Sequence, residues 1–262
     1  MPAFFSVVLF VWLLLGSGMR SWADTLTFEA DPYMPYTGDS DKGETGFMID
    51  IVKAVFEAKG YTVSYQSTSW SGALHDIKEG RATALVGLSK LDAPSLVFPK
   101  TEQGRAQGAF YVPFDSGWKY AGAASLEGVL LGIVDDYKYN PEVGDYIAKN
   151  RGNSKKIRAF VGGTSNLADL VSAVADKKIG AFVEDRNVVG YFLKSSDKAD
   201  KVIEAGKLTS TTDLYVAFSP SLLNAQELAA QLSEELAAMR ADGRLKTILD
   251  KYGLTDWATG AR

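Results

Sequence analysis

The sequence predicts an α/β protein made of two successive units, and three observations support this. Short apolar segments alternate with helical segments between about residues 26 and 86, and this β-α-β-α-β order is typical of a parallel sheet covered by helices. The same alternation restarts near residue 116 and continues to about residue 206. The length of 262 residues fits one large or two medium domains.

In the first unit, LTFEA (Leu26 to Ala30) is predicted to be a strand, and the Pro- and Gly-rich segment DPYMPYTG after it is predicted to be a loop. A helix is predicted to begin near Phe47, because apolar residues recur there at helical spacing, and to end at Gly60. YTVSYQ alternates in polarity and is predicted to be the second strand.

Ser69 is a candidate N-cap for the next helix, which ends at Gly80. The apolar run Ala82 to Val86 then predicts a buried strand, and the loop GLSKLDAP follows it. Because α/β proteins hold small ligands at the carboxyl ends of such strands, this loop is a candidate binding segment.

The second unit is predicted to contain strands in VLLGIV, KIRAFV, KIGAFV and KVIEAG. Helices are predicted through Tyr146 and Ile147, in LADLVSAVAD with Thr164 as its N-cap, and in EDRNVVGYFL. DLYVAFS (Asp213 to Ser219) is predicted to be a strand that rejoins the first unit. A long amphipathic helix, AQELAAQLSEELAAMRADG, and a short one, RLKTILDKYG, complete the predicted fold.

The composition argues against several classes of function. The net charge of −4 and the lack of a basic run argue against a nucleic-acid partner. The chain has no cysteine, which excludes disulfides, thiolate chemistry and a lipid anchor on cysteine. The single histidine, His75, argues against a histidine-based metal site and a histidine-dependent triad, and no cofactor is predicted.

Residues 1–23 are predicted to be a signal peptide. The apolar run PAFFSVVLFVWLLLG is too short for a secure membrane-spanning helix, and Ser21-Trp22-Ala23 has the small-x-small pattern of a cleavage site. We therefore expect the mature chain to begin near Asp24 and to be exported to the periplasm. Because no Lys or Arg precedes the apolar run, a misplaced start codon and a retained anchor are the alternatives.

Four motifs, in their order and spacing, carry a family likeness. They are DPYMPY at residues 31–36, Gly46-Phe47 with Asp50, Gly80-Arg81-Ala82, and MRADG followed by KYG at residues 239–253. Together they resemble the periplasmic solute-binding proteins of the polar-amino-acid type (family 3 extracellular solute-binding proteins), the receptors of ABC importers. The likeness covers nearly all of the mature chain, which is identified as a divergent member.

The resemblance implies a two-lobe, periplasmic-binding-protein-like fold (type II) that closes on its ligand by hinge motion. Residues 24–112 and 209–262 are expected to form the first lobe, and residues 113–208 the second. Two crossover strands, near Gly108 to Phe114 and near Gly206 to Asp213, are expected to form the hinge. The ligand is expected in the cleft between the lobes.

The resemblance also implies that aromatic residues of the first lobe line this cleft. Tyr33 occupies the position of an aromatic residue that packs on the ligand, with a structural role as the alternative. Tyr36 either contacts the ligand or fills the base of its loop, and Trp70 either lines the cleft or caps the core.

In the loop after the buried strand, the N–H groups of Gly87, Leu88 and Ser89 and the Ser89 hydroxyl are expected to bind a polar group of the ligand. The amino-acid binders of this family carry an arginine five residues later, which clamps the ligand carboxylate in a bidentate way. Here that position is Pro94, and Lys90 either substitutes as a point charge or faces solvent. Because an unpaired buried carboxylate is costly, this departure argues against an ordinary α-amino acid ligand.

The second lobe departs from the family pattern as well. Where the family has a small motif suited to anions, this chain has Asp135, Asp136, Tyr137, Lys138 and Tyr139. Two carboxylates repel an anion, whereas the tyrosines and the lysine suit an aromatic or hydroxyl-rich ligand. An exposed, charged loop is the alternative interpretation.

One match to the family pattern is retained at the end of GAFVED. Asp185 aligns with the acidic residue that receives the amino group of the ligand, Glu184 flanks it, and Asp185 is also a candidate helix N-cap. Together with Asp135 and Asp136, these carboxylates predict a site that is more acidic than basic. The ligand is therefore predicted to be cationic, or neutral and polar, and tyrosine rings would favour a cation.

The favoured function is that of a non-enzymatic periplasmic receptor that captures a small, amino-acid-like polar solute. The receptor is expected to be a monomer that delivers the solute to an inner-membrane ABC permease. A sensor or regulatory module that reports to a membrane sensor is the first alternative. A cyclohexadienyl-dehydratase-like enzyme with Glu184 or Asp185 as general acid is the second, and the missing arginine weakens it.

Overall fold

The computed structural model describes four ranges of the chain: 24–135, 137, 139–160 and 166–259. The predicted signal peptide, two predicted site residues (Asp136 and Lys138) and the predicted Thr164 cap lie outside these ranges. None of the helices in the described ranges combines the length and the hydrophobicity that a bilayer span requires.

The strands of the described residues are, in chain order, β1 (Thr25–Ala30), β2 (Thr62–Ser67), β3 (Ala84–Leu88), β4 (Gly104–Ala106), β5 (Gly108–Pro113), β6 (Leu131–Val134), β7 (Ile157–Phe160), β8 (Ala181–Asp185), β9 (Val202–Lys207) and β10 (Thr212–Phe218). They form two mixed five-stranded sheets, with the orders β2-β1-β3-β10-β4 and β7-β6-β8-β5-β9. In each sheet the strands of the β-α-β units are parallel. One strand, β10 in the first sheet and β5 in the second, runs antiparallel to them, and the edge strands β4 and β9 pair antiparallel with β10 and β5.

The helices are α1 (Phe47–Phe56), α2 (Trp70–Lys78), α3 (Pro141–Asn150), α4 (Asn166–Ala175), α5 (Arg186–Leu193), α6 (Ala225–Asp242) and α7 (Arg244–Tyr252). The predicted cap of α2 is confirmed, because the Ser69 side chain accepts the Gly72 N–H at 3.2 Å. Gly60 has a left-handed conformation and ends the helical segment after α1, as its position predicted.

Each lobe has its own apolar core. In the first lobe, the rings of Phe28, Phe56 and Phe218 contact one another between the sheet and the helices α1, α6 and α7. In the second lobe, Phe110 and Phe182 are fully buried on opposite faces of the sheet. The two cores support the α/β, two-lobe fold that the sequence predicted.

The chain passes between the two sheets at Gln107 and again at residues 208–211. The first of these positions differs from the predicted lobe boundary at residue 112. All of β5 belongs to the second sheet, because it pairs with β8 and β9 and buries Phe110 and Val112 in the second core. The short strand β4 has no strand pattern in its sequence and forms only through pairing with β10.

Candidate functional site

Three cavities lie in the cleft between the lobes, with volumes of about 290, 240 and 170 Å³. The residues that follow β1, β3 and β6 and the end of β8 line these cavities, so the carboxyl ends of four strands converge there. Tyr33 of the first lobe and Tyr137 of the second line all three cavities. The two tyrosines therefore divide one interlobe cleft into smaller spaces.

The cavity of about 240 Å³ lies mainly against the first lobe. It brings together the predicted residues Tyr33, Tyr36, Trp70, Gly87, Leu88 and Tyr137. Two carboxylates that the sequence analysis did not assign to the site, Asp31 and Asp92, also line it. Asp31 directly follows β1, so its place at the carboxyl end of a buried strand was the signal that could have identified it.

A hydrogen bond across the cleft joins Tyr33 to Glu184. The Tyr33 hydroxyl donates to Glu184 Oε1 at 2.8 Å, and the Asp185 N–H donates to the same oxygen at 2.7 Å. Burial of the carboxyl group raises the pKa of Glu184 to about 7, although the hydrogen bonds from these two donors favour its charged form. Burial also raises the pKa of Tyr33 well above its ordinary value, so its hydroxyl keeps its proton at neutral pH.

Asp185 holds the start of α5 and the base of the cleft together. Its Oδ1 accepts the N–H groups of Asn187 and Val188 at 2.9 and 3.1 Å, and its Oδ2 accepts the Gln107 N–H at 2.8 Å. The Tyr36 hydroxyl of the other lobe lies 3.0 Å from Oδ1 and donates to it. The predicted role as an N-cap is confirmed. Three donors occupy Oδ1, whereas Oδ2 accepts one described donor and retains a lone pair.

Tyr36 is fully buried and acts in the structure as a bridge between the lobes. Besides its bond to Asp185, its hydroxyl accepts the side-chain N–H of Asn187 at 2.8 Å. Its ring stacks on Tyr33, with the ring centroids 5.7 Å apart. Tyr36 thus fixes the orientation of Tyr33, which faces the cavities.

The loop after β3 satisfies its own donors. The N–H and the hydroxyl of Ser89 both donate to Asp92 Oδ2 at 2.8 Å. Lys90 does not line any of the three cavities, and its Nζ lies over the ring of Tyr215, 4.7 Å from the centroid. The interactions predicted between Ser89 and a ligand would therefore have to replace an internal pair.

The described part of the loop after β6 lines the cleft with both of its tyrosines. Tyr137 is 41% exposed, and burial of its hydroxyl raises its pKa to about 12. Tyr139 lines the cavity of about 170 Å³, and its hydroxyl accepts the Val134 N–H at 2.7 Å. Asp135 forms an ion pair with Arg151 on an exposed face and does not line the cavities.

Among the described residues, the charged side chains that line the cleft are all acidic. Four carboxylates line the three cavities, from Asp31, Asp92, Glu184 and Asp185, and no described Lys or Arg side chain does so. Burial raises the pKa values of Asp31 and Asp185 as well as that of Glu184. Within the described ranges, no group of three or more acidic or histidine side chains is arranged to hold a metal ion.

A second contact between the lobes lies beside the cleft. Lys194, just after α5, donates through Nζ to the carbonyl oxygen of Tyr252 at 2.7 Å. The rings of Tyr191 and Tyr252 lie 6.3 Å apart, and Val188 packs into the core of the first lobe. Together with the Tyr33 and Tyr36 bonds, these contacts hold the lobes in a closed arrangement.

Comparison with protein families gives one match. The sequence model of the family described as bacterial extracellular solute-binding proteins, family 3, matches residues 26–255. A comparison with curated protein sequences gives no match.

Comparison with solved structures gives similar chains over most of the length. One is a histidine kinase sensor domain described as similar to periplasmic binding proteins, with 23% identity, coverage of 89% of this chain and 98% of that chain, and a TM-score of 0.68. Another is the probable amino-acid ABC transporter extracellular-binding protein ytmK from Bacillus subtilis, with 17% identity, coverage of 88% and 98%, and a TM-score of 0.69. A third is an ancestral amino acid-binding protein described as a precursor of cyclohexadienyl dehydratase, with 22% identity, coverage of 87% and 94%, and a TM-score of 0.63. At these identities the likeness shows the fold.

Proposed function

The chain belongs to family 3 of the bacterial extracellular solute-binding proteins, and we propose that it captures a small cationic, or neutral and polar, solute in the cleft between its lobes. One observation carries this proposal. The described walls of the cleft contain four carboxylates and no Lys or Arg side chain. A bound anion would have no cationic partner among these four carboxylates. A bound cation would instead interact with the carboxylates in place of the water that they lose when the cleft closes.

The tyrosines support the same ligand class. Tyr33 and Tyr137 line all three described cavities, and the face of an aromatic ring attracts a cation. Glu184 lies beside Tyr33, and both of its hydrogen bonds from described residues end on Oε1. Its second oxygen is thus the acceptor in the described cleft best placed for an ammonium or guanidinium group.

Delivery of the solute to an inner-membrane ABC permease is the route that we propose, because the similar Bacillus subtilis protein is described as an ABC transporter binding protein. The chain would act as an exported monomer after removal of residues 1–23. A sensor module is the second candidate, because the lobes already contact each other through Tyr33, Tyr36 and Lys194 and one similar structure is a kinase sensor domain.

An enzymatic role has one feature in its favour and one against it. A pKa of about 7 suits Glu184 to general acid catalysis. A dehydratase that acts on cyclohexadienyl acids needs cationic groups for the carboxylates of its substrate, and the described cleft has none. We therefore propose a binding protein and not an enzyme.

A thermal-shift screen of the chain from Asp24 onwards tests the proposal. The ligands would be lysine, arginine and choline as cations, glutamine and glucose as neutral solutes, and glutamate, malate and prephenate as anions. A ligand at 100 times its Kd adds about 2.7 kcal/mol of stability, which is several degrees in Tm.

We expect stabilisation by cations or neutral solutes, and a smaller effect of the cations on the Glu184→Gln variant. Glu57→Gln is the matched control, because Glu57 is an exposed carboxylate of the first lobe that lines none of the three cavities. Stabilisation by the anions alone would contradict the proposed ligand charge. No stabilisation by any solute would favour the sensor module.

A further inference from the structure

The loop after β3 contains a carboxylate that occupies the Ser89 donors, which the family resemblance assigns to a polar group of the ligand. Asp92 Oδ2 accepts both the N–H and the hydroxyl of Ser89 at 2.8 Å, and the Leu91 N–H lies 3.3 Å from the Ser89 hydroxyl oxygen. This is the reciprocal pattern of a capping box, which satisfies the donors of a turn locally. Asp92 also lines the cavity next to Gly87 and Leu88, so its charge faces the same space.

In the described loop, neither Pro94 nor Lys90 takes the place of the Ser89 donors that Asp92 occupies. Pro94 has no N–H group, and the ammonium group of Lys90 lies on the ring of Tyr215 and not in the cavities. Ser89 itself lines none of the three cavities, so a ligand carboxylate would have to displace Asp92 to reach the Ser89 donors and would then lie next to the displaced charge. Both steps oppose binding of a carboxylate on this side of the cleft.

The opposite side of the cleft offers acceptors. Glu184 receives its two hydrogen bonds from described residues on Oε1, which leaves Oε2 for a donor of the ligand. Asp31 lines the first-lobe cavity with Asp92, and Tyr137 closes this cavity from the second lobe. The cleft is thus rich in acceptors for a group that donates hydrogen bonds, and no described Lys or Arg side chain lines it to balance the charge of an acid group.

From this arrangement we infer that the ligand is an amine or guanidine without a carboxylate, and that Asp92 is the residue that excludes the carboxylate. The inference rests on the proposed function, because it assumes that the cleft binds a small cation. It narrows the ligand class, since an amino acid and the amine formed by its decarboxylation differ only in the group that Asp92 opposes.

Calorimetric titration with matched pairs tests the inference. The pairs are lysine and cadaverine, arginine and agmatine, histidine and histamine, and tyrosine and tyramine. We expect at least one amine to bind with a Kd lower than that of its parent amino acid by a factor of about ten or more.

Two variants of Asp92 separate two effects, which are the occupation of the Ser89 donors by Asp92 and the negative charge of Asp92. Asp92→Asn removes the charge, but its side-chain oxygen still accepts the Ser89 donors, whereas Asp92→Ala removes the charge and frees the donors. We expect the preference for the amine to fall in both variants and to fall further, by a factor of about three or more, in Asp92→Ala. Because Asp92 is exposed, neither substitution opens a cavity in the core.

The outcomes distinguish failure of the inference from failure of the proposed function. If a parent amino acid binds more tightly than every amine, the inference is wrong and the proposed function stands. If the wild-type preference is unchanged in both Asp92 variants, Asp92 does not exclude the carboxylate. If no member of any pair binds, the proposed capture of a small cation fails, and the inference fails with it.

Discussion

The buried position of Glu184 makes the stability of the closed protein depend on pH. Burial raises the pKa of this carboxyl group from an ordinary value near 4.5 to about 7. Such a rise corresponds to roughly 3 kcal/mol against the charged form in the folded, closed protein. In the Glu184→Gln variant this cost is absent, while the amide oxygen can still accept the Tyr33 hydroxyl and the Asp185 N–H.

The direction of the effect follows from proton binding. Between about pH 4.5 and pH 7 the folded protein holds a proton on Glu184 that the unfolded chain has lost, so the free energy of unfolding decreases as the pH rises. The stability from this group is fully present below pH 4.5 and is lost as the pH passes through about 7. Relative to Glu184→Gln, the wild type is therefore expected to lose up to about 3 kcal/mol between these limits.

Urea denaturation of both proteins at several pH values from 4.5 to 8 measures this difference. Burial also raises the pKa values of Glu29 and Asp31, but these groups titrate in both proteins and cancel in the comparison. The charge of Asp185 contributes to the raised pKa of Glu184, so its coupling to Glu184 is part of the measured difference. Glu57→Gln serves as the control and is expected to follow the wild-type profile. Parallel profiles for the wild type and Glu184→Gln would refute the reasoning.

Three further predictions concern contacts that shape the cleft. Tyr33→Phe removes the hydroxyl that donates to Glu184 across the cleft and is expected to cost about 1–2 kcal/mol in urea denaturation; a wild-type midpoint would show that this bond contributes nothing. Asp185→Ala leaves buried donors at the start of α5 without an acceptor and is expected to cost about 3 kcal/mol or more; a loss under about 1 kcal/mol would contradict its structural role. Gly46→Ala places a Cβ 2.5 Å from a backbone oxygen at a φ of 80° and is expected to lower the free energy of unfolding by more than about 2 kcal/mol in thermal denaturation. Gly152→Ala is the control, because the space around Gly152 is open, and it is expected to be nearly neutral.

Most of the fold could be predicted from local patterns. The helix of residues 47–56 follows from apolar periodicity, and the strand of residues 84–88 overlaps the apolar run of residues 82–86. Ser69 caps the second helix, and Gly60 ends the helical segment after the first. The strand of residues 104–106 could not be predicted, because its three residues have no pattern and it forms only against a strand more than 100 residues later. A different non-local pairing, with residues 181–185 and 202–207, places residues 108–113 in the second sheet.

The candidate site was harder to predict than the fold. The sequence identified Tyr33, Trp70 and Glu184 as residues of the cleft, because strand ends and the family likeness pointed to them. It did not identify Asp92 as the partner of Ser89, because a side chain that faces its own loop and one that faces a ligand have the same local sequence. The assignment of these residues to ligand binding stays a prediction until a ligand is measured.

The most direct test of the account is the number of protons released when an amine binds. Cadaverine and agmatine would be titrated into the wild type at pH 7 in two buffers of different ionisation enthalpy. With a pKa of about 7, Glu184 is about half protonated in the free protein, so a cation that binds there should release about half a proton. Binding of an amine with this release, and its absence in Glu184→Gln, would support the acidic cleft as the solute site. Binding without proton release, or no binding by either amine, would contradict it.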